Sequence, residues 1–83
     1  MVPRIAGEPG RRRVELDLRD LEAPEPLRRI LEAVAALGPG DSLVARTPRY
    51  PRMLFGQLEK RGLEWEAREE SDGSATLSIR RPG

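Results

Sequence analysis

The stretch from Asp17 to Leu27 constrains the fold of this chain most, because two prolines there separate two different hydrophobic patterns. Before it, Val14, Leu16 and Leu18 alternate with charged residues, which is typical of a half-buried strand. After it, apolar residues recur with the spacing of one helix face, at Leu27, Ile30, Leu31, Val34 and Leu37. The chain must therefore change from strand to helix within a few residues.

The two prolines, Pro24 and Pro26, predict where this helix begins. A residue before proline avoids the helical region, so Glu25 is expected to be extended. Pro26 suits the first helical position, because the N–H that proline lacks would have no partner there. A Gly-Pro-Gly sequence at residues 38–40 is expected to end the helix.

The rest of the chain predicts a second helix and three more strands. Residues 43–46 form a short, mostly apolar strand, and a helix follows from Pro51 to Arg61. Gly56 inside that helix is unfavourable, and a close approach of the helix to the sheet is one reason to accept it. Residues 63–68 and 75–80 alternate with period two and are joined by an Asp-Gly hairpin signal.

The order of elements is therefore β-α-β-α-β-β, which predicts an α/β (α+β) two-layer sandwich. We expect a four-stranded mixed sheet with two helices on one face, because each strand carries a single apolar face. Residues 1–10, rich in proline and glycine and without periodicity, are expected to form a flexible N-terminal tail. Residues 11–83 are expected to form a single domain.

Composition excludes several classes of function. The 83 residues include no cysteine and no histidine, which removes thiolate nucleophiles, disulfides and the usual general base. No nucleophile is expected beside a base, and a solvated sheet face explains the acidic residues at 64, 66, 69 and 70 better than a metal cluster does. We therefore expect no enzyme activity, no catalytic residues, no metal and no cofactor. The scarcity of amide side chains, with Gln57 the only one, suits a thermophile or a GC-rich genome.

Charge and hydropathy restrict the partners. Fifteen basic and fourteen acidic residues give a net charge of +1, so nucleic acid is an unlikely partner for the chain as a whole. No apolar run approaches the roughly 20 residues of a membrane span, and the N-terminus lacks a signal-peptide pattern. A cytoplasmic protein without membrane association is expected.

The proline stretch resembles the signature of the TusA/SirA sulfur-carrier family. In that family a strand ends in Asp, a Gly-Leu turn follows, and Cys-Pro-x-Pro opens the first helix. Residues 23–26, Ala-Pro-Glu-Pro, match this motif with Ala23 in the cysteine place, and Asp20 stands where glycine is usual. The resemblance covers about residues 13–81 and implies strand order 1-2-4-3. Alanine cannot carry sulfur, so the resemblance does not imply the family's chemistry here.

A cysteine-less, uncharacterised sister group of that family is a closer match. Its members have Pro-Glu-Pro-Leu at the start of the first helix and a stretch similar to His-x-Pro-x-Pro-Leu before the second helix. Residues 49–54, Arg-Tyr-Pro-Arg-Met-Leu, are similar to the latter, with Arg49 in the histidine place and Met53 in that of the second proline. Relatives of this group often accompany hemerythrin-like and redox proteins, which is an association and not a mechanism.

Two sets of candidate binding residues follow. The first is the proline turn, Pro24, Glu25 and Pro26, where a helix N-terminus could receive an anion or a partner carboxylate. The second follows the second predicted strand, in the region where α/β sheets commonly bind ligands: Arg46, Arg49, Tyr50 and Arg52. Either set could also be purely structural, as a helix start or as a solvated loop.

The leading functional hypothesis is a non-catalytic binding or adaptor module with an unidentified protein partner, which retains a docking surface around the proline turn. An alternative is a small-anion or nucleotide-phosphate site built from Arg46, Arg49 and Arg52. A weaker alternative is RNA binding through the arginine triplet at residues 11–13, which has no aromatic neighbour to stack on bases. The sequence gives no oligomeric state.

Overall fold

The computed structural model describes residues 3–8 and 10–83. Its elements in chain order are β1 (Arg4–Ala6), β2 (Arg13–Asp17), α1 (Glu25–Ala35), β3 (Ser42–Thr47), α2 (Arg52–Lys60), β4 (Glu64–Glu69) and β5 (Ala75–Arg80). The strands form one sheet in the order β1-β2-β3-β5-β4. Only β2 and β3 are parallel neighbours, and the other three pairs are antiparallel.

The predicted α/β sandwich is confirmed, and the order of the four predicted strands is the one that the resemblance implied. Parallel pairing of β2 and β3 follows from the helix between them, because a parallel pair needs a crossover connection. The register places Asp17 beside Arg46 at the ends of these two strands. Both strands therefore finish at the same edge of the sheet.

The prediction of four strands was wrong by one, because Arg4–Ala6 forms an edge strand, β1, antiparallel to β2. This strand lies inside the ten residues predicted to be a flexible tail. Residues 1, 2 and 9 of that predicted tail lie outside the described part of the chain. The strand is short and fully exposed, and such short segments carry no usable periodicity.

Asp41 fastens this N-terminal segment to the domain. Asp41 is 4% exposed, and its carboxylate accepts hydrogen bonds from the backbone N–H groups of Arg12 (2.9 Å), Gly38 (2.9 Å) and Gly10 (3.1 Å). The hydrogen bonds from Arg12 and Gly38 hold the pKa of Asp41 below its ordinary value of 3.8. A buried carboxylate satisfied in this way stays ionised and holds three segments together.

The core lies between the two helices and one face of the sheet. Its fully buried large side chains come from the two helices, from β3 and β5 and from Leu18 just after β2, and they include Ile30, Leu43, Leu54, Leu58 and Leu77. Along β3, Leu43, Ala45 and Thr47 point into this layer, whereas the alternate residue Arg46 is exposed. The opposite face of the sheet carries mainly charged and hydroxyl side chains, which suits a face open to water.

Two local predictions were wrong. Helix α1 begins at Glu25, so the residue before Pro26 is already helical, and Pro24 takes the N-cap position without a side-chain cap. Gly56 is exposed, and a Cβ placed there would have no heavy atom within 4 Å, so close packing does not explain it.

Neither α1 nor α2 is long and apolar enough to cross a membrane. The cytoplasmic location stays a prediction.

Candidate functional site: a cleft between two helix entrances

A cleft of about 780 Å³ opens where β2 and β3 end. Two segments line it, one from each βα connection. We call residues 19–24, with Pro26, Leu27 and Ile30, the proline wall, and residues 47–54 the arginine wall. Because β2 and β3 are parallel, their carboxyl ends deliver both connections to the same edge of the sheet.

Backbone hydrogen bonds fix the proline wall. The N–H of Leu18 donates to the carbonyl of Arg46 (2.8 Å), which ties the end of β2 to β3. The N–H of Leu21 then donates back to Leu18 (3.1 Å), and the N–H of Glu25 donates to Glu22 (2.9 Å). These turns leave Ala23 and Pro24 exposed at the edge of the cleft, whereas Ile30 is fully buried at its base.

Glu25 was predicted to belong to the binding surface, and the structure gives it another contact. It does not line the cleft. Its carboxylate pairs with Arg28 (2.6 Å) and Arg29 (3.5 Å) on the same helix. A carboxylate in the first turn also interacts favourably with the helix dipole. Glu25 therefore acts as a local stabiliser of α1, while Pro24 and Pro26 shape the cleft.

The arginine wall is supported from within the core. Thr47 is 2% exposed, and its hydroxyl donates a hydrogen bond to the carbonyl of Arg49 (2.7 Å), which sets the direction of the loop. The ring of Tyr50 packs edge-on against Phe55 at 5.5 Å between centroids, and Phe55 stacks on Trp65 at 5.9 Å. All three aromatic rings of the chain thus form one continuous cluster behind this wall.

Arg52 and Arg49 present guanidinium groups at this wall. The Arg52 group lies 5.3 Å from the centre of the Tyr50 ring, a favourable cation–π distance. Within residues 3–8 and 10–83, neither arginine has an ion-pair partner. Met53 follows Arg52 in the chain, lines the same cleft and is 85% exposed. Exposed cations and an exposed thioether therefore stand side by side.

Arg46 is separated from the other two arginines. It points to the open face of the sheet and lines a second, smaller cavity of about 150 Å³ together with Arg19 and Arg68. The three arginines predicted to bind one anion, Arg46, Arg49 and Arg52, therefore do not line one cavity. The alternation of side chains along β3 is the reason, because Arg46 lies on the face opposite to the neighbouring buried Thr47.

Arg19 borders both cavities, and the sequence interpretation did not single it out. Its guanidinium forms two hydrogen bonds with the carboxylate of Asp17, from Nε (2.8 Å) and from a terminal nitrogen (2.6 Å). These bonds lower the pKa of Asp17 from 3.8 to about 2. The available signal was the spacing of Asp17 and Arg19 at the end of a strand, which suits such a bidentate pair.

In the described part of the chain, no group of three or more acidic side chains is placed to hold a metal ion. Ala23, at the exposed edge of the cleft, has a methyl side chain and offers no reactive group to it. The site as a whole combines an apolar base, exposed prolines and charged side chains at its edge. Such a combination can bind a ligand by shape and charge.

Comparisons with known proteins agree with this architecture. A family of uncharacterized conserved proteins, DUF2249, matches residues 15–81. The crystal structure of a SirA-like protein from Desulfitobacterium hafniense is similar with a TM-score of 0.71 and 21% sequence identity, covering 83% of this chain and 97% of that one. No curated protein matches this sequence.

At this level of identity the likeness to the SirA-like structure concerns the fold. The family match, in contrast, spans most of the chain, including both walls of the cleft. It also agrees with the cysteine-less, uncharacterised sister group that the sequence resembles. The chain therefore belongs to the DUF2249 family of uncharacterized conserved proteins and has a TusA/SirA-like fold.

Proposed function

We propose that this protein is a non-catalytic binding module whose cleft receives a short segment of a partner protein. One observation carries the proposal: Pro24 and Pro26 line a single cleft together with arginine-wall residues that lie more than twenty positions further along the chain. Pro24, Pro26, Arg49, Tyr50 and Arg52 all belong to it. An adaptor needs such a preformed surface and no reactive group.

The size and lining of the cleft favour a peptide segment. Its volume of about 780 Å³ is within the range typical of ligand sites, which extends to roughly 1,000 Å³. Buried Ile30 and Leu54 at its base can accept an apolar side chain, and exposed Pro24 and Met53 can contact the remainder of the segment. Methionine adapts well to varied apolar partners, because its side chain is unbranched and flexible.

The chemistry of the proline wall supports binding without catalysis. In the sulfur carriers that the sequence resembles, a cysteine at the place of Ala23 would present a thiol at the start of the helix. Here a methyl group occupies that place at the exposed edge of the cleft. A shape retained with an inert residue at its centre is suited to docking.

The two alternatives have less support. An anion site using Arg46, Arg49 and Arg52 would need three side chains that line two different cavities. For RNA binding through residues 11–13, one of the three arginines, Arg13, is 3.6 Å from the carboxylate of Glu15 and is partly neutralised. Both hypotheses remain open to simple ligand titrations, with strong salt dependence required of any RNA complex.

The proposed function can be tested with peptides selected from a random display library on the immobilised protein. We expect selected peptides to shift backbone amide NMR signals of the two walls. Ala23→Trp, which fills the cleft from an exposed position, should weaken their binding about tenfold or more, roughly 1.4 kcal/mol. Ala35→Trp, at an exposed position near the other end of α1, is the matched control and should leave the affinity unchanged.

Two results would refute the proposal. One is a library selection that enriches no peptide for the folded protein. The other is a set of peptides whose binding is equally strong in the wild type and in Ala23→Trp, because these peptides would bind elsewhere. Calorimetry measures the affinities without relying on fluorescence, which the added tryptophans would disturb.

A further inference from the structure

The cleft has walls of opposite charge. From this, and resting on the proposed function, we propose that the partner segment is dipolar. Its basic part lies against Asp20 and Glu22 of the proline wall. Its acidic part lies against Arg49 and Arg52 of the arginine wall. The separation of the two charged sets across one cavity is the observation that carries this inference.

The proline wall is acidic once the ion pair of Arg19 with Asp17, which lies outside the wall, is taken into account. Arg19, its only cation, holds the carboxylate of Asp17 with two hydrogen bonds, so its charge is offset. Asp20 and Glu22 are exposed, and in the described residues neither carboxylate takes part in a hydrogen bond or an ion pair. Two carboxylates therefore remain available to a ligand on this wall.

The arginine wall is uniformly basic. Residues 47–54 contain Arg49 and Arg52 and no acidic residue. The other lining side chains of this segment are hydroxyl-bearing or apolar, so nothing within the wall offsets the two guanidinium groups. The cation–π contact of Arg52 with Tyr50 orients one of them without neutralising it.

The two sets of charges stay apart in the described structure, since neither arginine approaches Asp20 or Glu22 closely enough to form an ion pair. A uniformly acidic segment would meet repulsion from the proline wall, and a uniformly basic one from the arginine wall. A segment with both signs of charge avoids both penalties. Complementary charges of this kind select partners and fix their direction of binding.

Three synthetic peptides with the same apolar centre, leucine-proline-leucine, test the inference. The dipolar peptide has two lysines before the centre and two glutamates after it. The second peptide has glutamates at both ends, and the third has lysines at both ends. The dipolar peptide should bind the wild type about threefold to tenfold more tightly than either uniform peptide, because exposed ion pairs contribute modestly. A reversed dipolar peptide reports on the direction of binding.

Charge reversal on each wall provides the decisive comparison. Asp20→Lys with Glu22→Lys should transfer the preference to the acidic peptide, and Arg49→Glu with Arg52→Glu should transfer it to the basic peptide. Arg11→Glu with Arg12→Glu changes the net charge by the same amount as Arg49→Glu with Arg52→Glu, but at the other end of the sheet. This matched control should retain the wild-type preference for the dipolar peptide.

The inference and the proposed function fail in different ways. If all three peptides bind the cleft with equal affinity, or if wall reversal leaves the preference unchanged, the dipolar requirement is wrong while the docking function stands. If no peptide of the three and none from the display library shifts the signals of either wall, the docking function fails and the inference falls with it. If the control variant also loses the preference for the dipolar peptide, the attraction is nonspecific and the inference is wrong.

Discussion

Replacing Gly56 by alanine should stabilise the protein. Gly56 lies inside α2, is exposed, and would present a new Cβ to empty space, since no heavy atom lies within 4 Å of it. The substitution therefore adds no tertiary contact and removes none. What changes is the backbone entropy, which favours alanine over glycine in a helix by about 1 kcal/mol.

This magnitude is measurable for a chain of this size. In a domain of 60 to 100 residues, about 1 kcal/mol raises the unfolding midpoint by roughly 4–8 °C. In urea, where small proteins show slopes of about 1–3 kcal/mol per molar, the midpoint should rise by about 0.3–1 M. The single tryptophan, Trp65, is packed against Phe55, so its fluorescence reports the unfolding transition.

Gly62→Ala is the matched control for Gly56→Ala. Gly62 also has no heavy atom within 4 Å of a built Cβ, but its φ is +68°, in the left-handed region. The same methyl group should there destabilise the protein by about 1–2 kcal/mol. If Gly56→Ala lowers the midpoint, or if both substitutions change it in the same direction, then local backbone preference does not govern these positions and the reasoning is refuted.

Two further predictions concern carboxylates. NMR titration of Asp17 should give a pKa of about 2, and Arg19→Gln should return this pKa towards 3.8. The contribution of the Asp17–Arg19 pair to stability is present above pH 3.8 and is lost as the pH falls towards 2. Asp41→Asn should lower the urea midpoint at pH 7 and flatten its decline below pH 3.8, because the wild-type carboxylate, with its lowered pKa, favours the folded state only while ionised. A wild-type midpoint equal to that of Asp41→Asn at pH 7 would contradict the anchoring role of Asp41.

Much of the fold was predictable because its signals are local. The alternation at Val14, Leu16 and Leu18 and the helical spacing from Leu27 onward identify a strand and a helix without knowledge of any distant residue. The helix between the first two predicted strands implies their parallel pairing. The expectation of a cleft at the carboxyl ends of these strands followed from that pairing.

The errors arose where local signals are weak or ambiguous. Strand β1 has three exposed residues, and it is held by pairing with β2 and by the bonds of Asp41 to the adjoining segment, neither of which leaves a periodic pattern. Arg46 was grouped with the arginines after it because they are close in sequence. The pleat of β3 nevertheless directs its side chain to the other face of the sheet.

The sequence by itself determined the order of the two helices and of four of the five strands, the family, and the absence of cysteine and histidine chemistry, because these properties reside in residue types and short spacings. Only the tertiary structure decided that the proline wall and the arginine wall share one cleft and that Glu25 pairs with its own helix. It also decided that Asp20 and Glu22 line the same cavity as Arg49 and Arg52. The physical reason is that parallel pairing of β2 and β3 brings together segments that are distant along the chain, and side-chain direction then selects which residues meet.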